Sequence, residues 1–276
     1  MEMRVISVLN QKGGVAKTTT AAALAFALAE KGYRTLVVDT DAQGNLSESF
    51  CFTTDERLLG EGMVEIQESI YNVLLGKAGI KDAIYQTKYE NLHICPSDPY
   101  MADIELQLSN KIAREAILQK ALRKVKDDYD FVVIDTPPAL GSATINVMVA
   151  SDYIIIPAEA ERYSVRGIEK LADTLNTVKE SYNDIKILGI LLVRYENIKN
   201  DKTIAEYSNI MAEAFGTIVF DTKIRQQKFV KESRMDLMNI IEFARLNRRA
   251  GKEDAGSDYE KFADEVLEEI KKVEGK

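Results

Sequence analysis

The apolar run Arg4–Leu9 (RVISVL) leads directly into NQKGGVAKTTT (Asn10–Thr20) and then into AAALAFALA (Ala21–Ala29). A buried strand, a glycine turn and a helix in that order open a βα unit, which commits the chain to a sheet whose strands are joined by crossover helices. The turn ends in the Lys-Thr of the phosphate-binding pattern G-x-x-x-x-G-K-[ST], yet Gln11 and Ala16 stand where its two glycines belong. Gly13 and Gly14 are kept, and a second lysine, Lys12, precedes them.

The alternation is sustained. Strand signals recur at Arg34–Asp39, Leu92–Cys95, Asp130–Asp135, Tyr153–Pro157, Ile185–Val193 and Thr217–Asp221. Helical patterns separate them at Thr18–Lys31, Ser69–Leu75, Met101–Lys126, Ser142–Ala150, Val165–Ser181 and Thr203–Phe215. Phe52–Glu68 is polar and aperiodic and reads as a loop. After Asp221 a helix-like stretch reaches about Leu246, a charged loop follows, and a last amphipathic helix covers Tyr259–Val273. With no internal repeat and no linker, the pattern predicts an α/β fold in one domain over residues 1–276: a single doubly wound, mainly parallel sheet with helices on both faces.

Composition narrows the function classes. The apolar run Ala21–Ala29 is short and bracketed by Lys17 and Lys31, so it reads as a buried helix rather than a signal peptide, and no 18-residue apolar run is present to span a bilayer. Cys51 and Cys95 form no C-x-x-C pair, which points to free thiols in a cytoplasmic protein. The one histidine, His93, rules out histidine pairs, and its place in the strand-like NLHICP reads as a packed imidazole, which argues against a Ser-His-Asp triad.

The loop carries the chemistry. Backbone N–H groups from Gly13 through Val15, Ala16 and Lys17 to Thr18, at a helix N-terminus, suit phosphate oxygens, and Thr19 continues the same turn. Lys17 reaches the β- and γ-phosphates of a nucleotide, and the Thr18 hydroxyl suits Mg²⁺. Asp135 ends an apolar strand before Thr136-Pro137-Pro138, so it reaches the sheet edge on a stiff turn and suits the Mg²⁺ shell through water. A left-handed Ala16 would cost roughly 1–2 kcal/mol through its Cβ.

These residues carry a resemblance. KGGVAKTTT resembles the deviant Walker A motif, K-G-G-x-x-K-[ST]-[ST], of the ParA/MinD family of P-loop ATPases, with Ala16 in place of the commoner glycine. VVDTDAQGN (Val37–Asn45) is similar to the family's D-x-D-P-Q-G-N segment with Ala42 for proline, FVVIDTPPALG (Phe131–Gly141) to its Walker B strand and switch, and AGSDYEKFADEV loosely to the ending of Soj-type partition proteins. The resemblance implies ATP and Mg²⁺ as cofactors. It makes Asp41 the residue that positions the attacking water and gives Asp39 a part in organising the phosphates and the Mg²⁺ shell. Lys12 would act in trans on a partner's phosphate, as an arginine finger does, within an ATP-bound homodimer.

Charge adds the last expectation. The chain has a net charge of −8, but Lys223–Lys252 holds nine basic residues against three acids. Arg225, Lys228 and Lys231 recur at helical spacing, which would place them on one face for DNA phosphate contact. The resemblance then implies a nucleoid-associated DNA-segregation ATPase that binds DNA without sequence preference and is stimulated by a ParB-like, DNA-bound partner. The alternatives are a MinD-like positioning ATPase, which the acidic last helix disfavours at an anionic membrane, and a metabolic P-loop enzyme such as an iron–sulfur reductase or a carboxylate-activating ligase.

Overall fold

The computed structural model describes residues 2–55, 59, 63–159, 164–195, 202–248 and 252–275. Its strands are β1 (Arg4–Val8), β2 (Thr35–Asp39), β3 (Phe52–Thr53), β4 (Val64–Glu65), β5 (Tyr85–Gln86), β6 (Leu92–Cys95), β7 (Phe131–Asp135), β8 (Tyr153–Ala158) and β9 (Lys186–Leu192). The helices are α1 (Lys17–Glu30), α2 (Asn45–Ser49), α3 (Ile70–Leu75), α4 (Ile104–Leu108), α5 (Ile117–Leu122), α6 (Ser142–Ala150), α7 (Ser164–Ser181), α8 (Lys202–Phe215), α9 (Phe229–Met235), α10 (Ile240–Asn247) and α11 (Ala255–Val273).

Seven strands form one sheet in the order β5-β6-β2-β7-β1-β8-β9, parallel except for the short edge strand β5. The central strands are apolar along their length because both faces are covered: every residue of β2, β7 and β8 is buried. Helices α1, α10 and α11 pack on one face with Ile6, Val8, Val37 and Val133. On the other face, α3 to α6 meet Val5, Val38, Val132 and Ile134, and α7 and α8 extend that layer over Ile154, Ile156 and Ile190. The alanine-rich α1 is buried nearly all round because α11 lies over it with Tyr259, Phe262, Ala263 and Val266. The end of α11 is tied back to β1 by a two-pronged Arg4–Glu274 pair at 2.6 and 2.8 Å.

The expected doubly wound parallel sheet is what the chain forms, and five local expectations change. Thr217–Asp221 makes a single bridge to β9 through Val219 rather than a strand, since the Glu265 carboxylate takes the next backbone donors, Asp221 and Thr222, at 2.6 and 2.9 Å. Met101–Lys126 is not one helix: Ala113 turns left-handed (φ 53°), and Lys111 swings out to the Leu75 carbonyl at the end of α3. The stretch after Asp221 is helical only in α9 and α10, separated by a left-handed Leu237 (φ 49°) and an Asn239 N-cap. The last helix starts at Ala255, where Asp254 and Ser257 cap it reciprocally. Within Phe52–Glu68, β3 and β4 form a two-residue parallel ladder.

Candidate functional site

The site lies where an open α/β sheet places ligands, beyond the carboxyl ends of the central strands. β1 sits between β7 and β8, so the loop that follows it emerges beside the end of β7. Val8 pairs with Asp135, and Asp39 pairs with the same Asp135 from the other side. Threonines lock this edge: Thr136 Oγ1 donates to the Val8 carbonyl at 2.8 Å, and Thr40 Oγ1 donates to the Asp135 carbonyl at 2.6 Å.

A cleft of about 550 Å³ opens there, lined by the loop residues Gly13, Gly14, Ala16, Lys17, Thr18 and Thr19 together with Asp41, Arg194, Arg225 and Lys231. The turn reaches α1 through two left-handed residues, Gly14 (φ 78°) and Ala16 (φ 57°). Gly14 adopts this freely, whereas Ala16 bears the Cβ cost of about 1 kcal/mol. Val15 is buried in the core, so its backbone alone faces outward chemistry. Lys17 is 7% exposed and its ammonium donates to the Lys12 carbonyl at 3.1 Å. Burial lowers its pKa, and the charges of Asp135 and Asp41 pull the other way.

The carboxylates have separate tasks. Asp39 is fully buried, and its oxygens accept from the Asp41 backbone at 3.1 Å and from the Ser47 backbone and hydroxyl at 2.9 and 2.7 Å. It therefore shapes the turn that presents Asp41. One oxygen of Asp41 accepts from the Gln43 backbone at 3.0 Å, and Asp41 itself is half-buried at the cleft wall. Asp135 is pushed up by burial and then by the Asp39 charge, against the Thr18 hydroxyl and the Lys17 ammonium. Its Oδ2 is buried with no hydrogen-bond partner among the described residues. An orphaned carboxylate oxygen beside a threonine hydroxyl is a hard-donor pair that fits Mg²⁺.

The three basic residues expected on one helical face separate. Arg225 precedes α9, bridges to Tyr195, and gives its guanidinium to Asp258 at 2.7 Å through two nitrogens and to Glu253 at 3.2 Å. Its spacing from Lys228 is therefore not helical, because the chain there is held to β9 and α11. Lys231 lines the cleft, while Lys228 stands in solvent with an i,i+4 pair to Glu232 at 3.2 Å. Were the DNA surface to lie elsewhere, Lys199, Lys202 or the Arg245–Arg249 cluster would be the next basic residues, but Arg245 is held by Glu30 and Glu260 and Arg248 by Asp254. Lys199, Arg249 and the Lys202 side chain lie outside the described residues.

Sequence reasoning missed Glu159 and Arg194. Glu159 directly follows β8 and Arg194 stands two residues past β9, both at the ligand edge, and charge at those positions was the available signal. Glu159 Oε2 accepts from Lys12 Nζ at 2.5 Å and its Oε1 from Arg194 Nη1 at 2.8 Å.

A glycine-bearing turn between a central strand and a buried helix, with Lys17, Thr18 and an orphaned acid on the adjacent strand, defines a P-loop nucleotide hydrolase. The AAA domain family matches residues 3–187. Sporulation initiation inhibitor protein Soj of Bacillus subtilis is 39% identical over 190 residues, covering 68% of this chain and 72% of Soj. Chromosome partitioning protein ParA of Caulobacter vibrioides is 34% identical over 234 residues, 84% of each chain. A crystal structure of cobyrinic acid a,c-diamide synthase from Mycobacterium smegmatis with bound ADP and magnesium superposes with a TM-score of 0.79 at 30% identity, over 98% of this chain and 96% of that one. The chain belongs to the ParA/Soj-type family of P-loop ATPases with a deviant Walker A loop. It is a partition or positioning ATPase whose cofactors are ATP and Mg²⁺.

Proposed function

We propose that this chain is a DNA-segregation ATPase, acting as one domain: ATP closes a homodimer, the dimer holds DNA without sequence preference, and a ParB-like DNA-bound partner stimulates hydrolysis and release. In this reading Lys17 and the backbone of Gly13–Thr19 hold the phosphates. Thr18 and Asp135 hold Mg²⁺, Asp41 positions water, Asp39 fixes the turn that carries Asp41, and Lys12 reaches the partner's phosphate. Bound Mg²⁺ supplies charge neutralisation for the leaving phosphates.

The observation that carries the reading is the position of α9. Val230 and Lys231 line the nucleotide cleft, while Lys228 on the preceding turn has a side chain 78% exposed. The cleft lining and an exposed lysine thus meet within four residues, Lys228 just before α9 and Val230 and Lys231 on it, which is what a nucleotide-gated grip on DNA requires. The relatives named for chromosome partitioning support the same reading. A membrane role is disfavoured because α11 spends its apolar face, Tyr259, Phe262, Ala263, Val266 and Ile270, on the core. A four-thiolate iron–sulfur cluster is disfavoured because Cys95 is fully buried in β6, where desolvation pushes its thiol up and away from the ligating thiolate.

The test is DNA binding measured with ADP, with ATP and with a slowly hydrolysed analogue across a salt series. Binding is expected with ATP and its analogue only, falling steeply with salt. Lys228→Ala with Lys231→Ala should flatten the log–log slope by about 3–4, since four lysines leave a dimer. Lys228→Ala alone, outside the cleft, should keep hydrolysis. Absence of ATP-dependent DNA binding at every salt, with dimerisation verified, would overturn the segregation reading. An unchanged slope would move the DNA surface away from α9.

A further inference from the structure

We infer that Glu159 is a positioning residue that holds Lys12 within its own subunit until a nucleotide-bound partner competes for it; the inference rests on the trans role of Lys12 proposed above. β8 and β9 are adjacent and parallel, with Ala158 paired to Leu192, so Glu159 and Arg194 leave the sheet close together at its ligand edge. The Glu159 side chain is 10% exposed, and its two oxygens are divided between two cations, Lys12 at 2.5 Å and Arg194 at 2.8 Å. The loop is brought to this carboxylate by Asn10, which donates to the Pro157 carbonyl at 2.7 Å and accepts from the Lys12 backbone at 2.9 Å.

Arg194 is built into the arrangement at a cost. It adopts a left-handed backbone (φ 54°), a conformation unfavourable for a residue with a side chain, two residues past the end of β9. That turn places its guanidinium 3.7 Å from where a Cβ on Gly14 would stand, so the arginine lies against the phosphate loop and salt-bridges Glu159 at once.

Two cations on one carboxylate make the hold reversible. A buried carboxylate stripped of its only partner is strongly destabilising, which would make a simple Lys12–Glu159 pair difficult to open. Here Arg194 stays behind when Lys12 departs, so Glu159 keeps a counter-charge while the lysine exchanges a carboxylate for a phosphate. Lys12 is the more exposed member of its pair, at 36%, as a group that must leave should be. Glu159 therefore raises the threshold for closure: Lys12 transfers only when a partner presents a phosphate that outcompetes it.

The test uses Glu159→Gln, which keeps the shape and removes the charge, with Glu159→Asp as the charge-restoring variant. Acetylation of Lys12 by acetic anhydride, followed by peptide mass spectrometry in nucleotide-free protein, should be about tenfold faster in Glu159→Gln, the worth of one charge-assisted pair. ATP-dependent dimerisation, followed by sedimentation, should tighten by a similar factor, and Glu159→Asp should restore both toward wild type. Lys12→Ala alone should dimerise poorly with ATP, and adding Glu159→Gln to it should give no gain, because the lysine that is released no longer exists. Unchanged Lys12 labelling in Glu159→Gln, or tighter dimerisation that persists without Lys12, would overturn the inference. Faster labelling in a protein whose wild type does not dimerise with ATP would leave the hold standing and reject the trans role instead.

Discussion

Lys17→Ala is expected to abolish ATP binding, with affinity falling by at least about 100-fold, the equivalent of a lost charge-assisted contact of roughly 3 kcal/mol in a partly desolvated site. Lys17 is 7% exposed, and its Nζ donates to the Lys12 carbonyl at 3.1 Å. Burial already disfavours its charge, and only Asp135 and Asp41 offset that penalty, so the site is primed for an anion to complete the balance. Calorimetric titration with ATP and with ADP checks the result, beside a urea unfolding curve to show that the variant folds. Retained affinity for either nucleotide would reject the assignment of this loop as the phosphate cradle.

How much of this site was legible in advance depended on whether a residue's task is set locally. Strand-to-loop transitions are local: Thr35–Asp39 and Phe131–Asp135 each end at an aspartate of the site and Arg4–Val8 runs into the glycine turn, so Lys17, Asp39, Asp41 and Asp135 could be placed at one sheet edge. The left-handed Ala16 was legible as a possibility and is realised. Legibility failed where a distant partner decides. Met101–Lys126 has helical periodicity throughout, yet Lys111 leaves it for the end of α3, and the Glu105 carboxylate leaves it to accept from the backbone and hydroxyl of Ser142, capping α6.

The basic segment shows the same limit in charge. A count over Lys223–Lys252 treats every cation as available, but Arg225, Arg245 and Arg248 are each paired with acids of α11 or its N-cap. The acidic C-terminal helix and the basic stretch before it are two halves of one packed surface. What remains exposed among the described residues is narrower: Lys223, Lys228, Lys231 and Lys252. Glu159 and Arg194 were missed for the complementary reason: thirty-five residues separate them, and only the β8–β9 pairing brings them together.

Asp41→Ala is expected to retain ATP binding and to lose turnover by about 100- to 1,000-fold, the range for removal of a positioned proton acceptor or water-orienting group. The separation follows from the division of labour between two aspartates two residues apart. Asp39, buried, accepts from Asp41 N and from both donors of Ser47, and so holds the turn through Gly44 into α2. Those bonds use the Asp41 backbone and survive truncation of its side chain. The side chain itself makes one turn contact, from Gln43 N at 3.0 Å, worth about 1 kcal/mol. Its loss should therefore leave Lys17, Thr18 and the loop backbone in place, and the variant should accumulate in its ATP-bound form. Phosphate release under saturating ATP, together with the fraction of protein still carrying ATP after desalting, reads the two effects separately. Normal phosphate release would remove Asp41 from the water-positioning role, and loss of ATP binding would place it in the cradle instead.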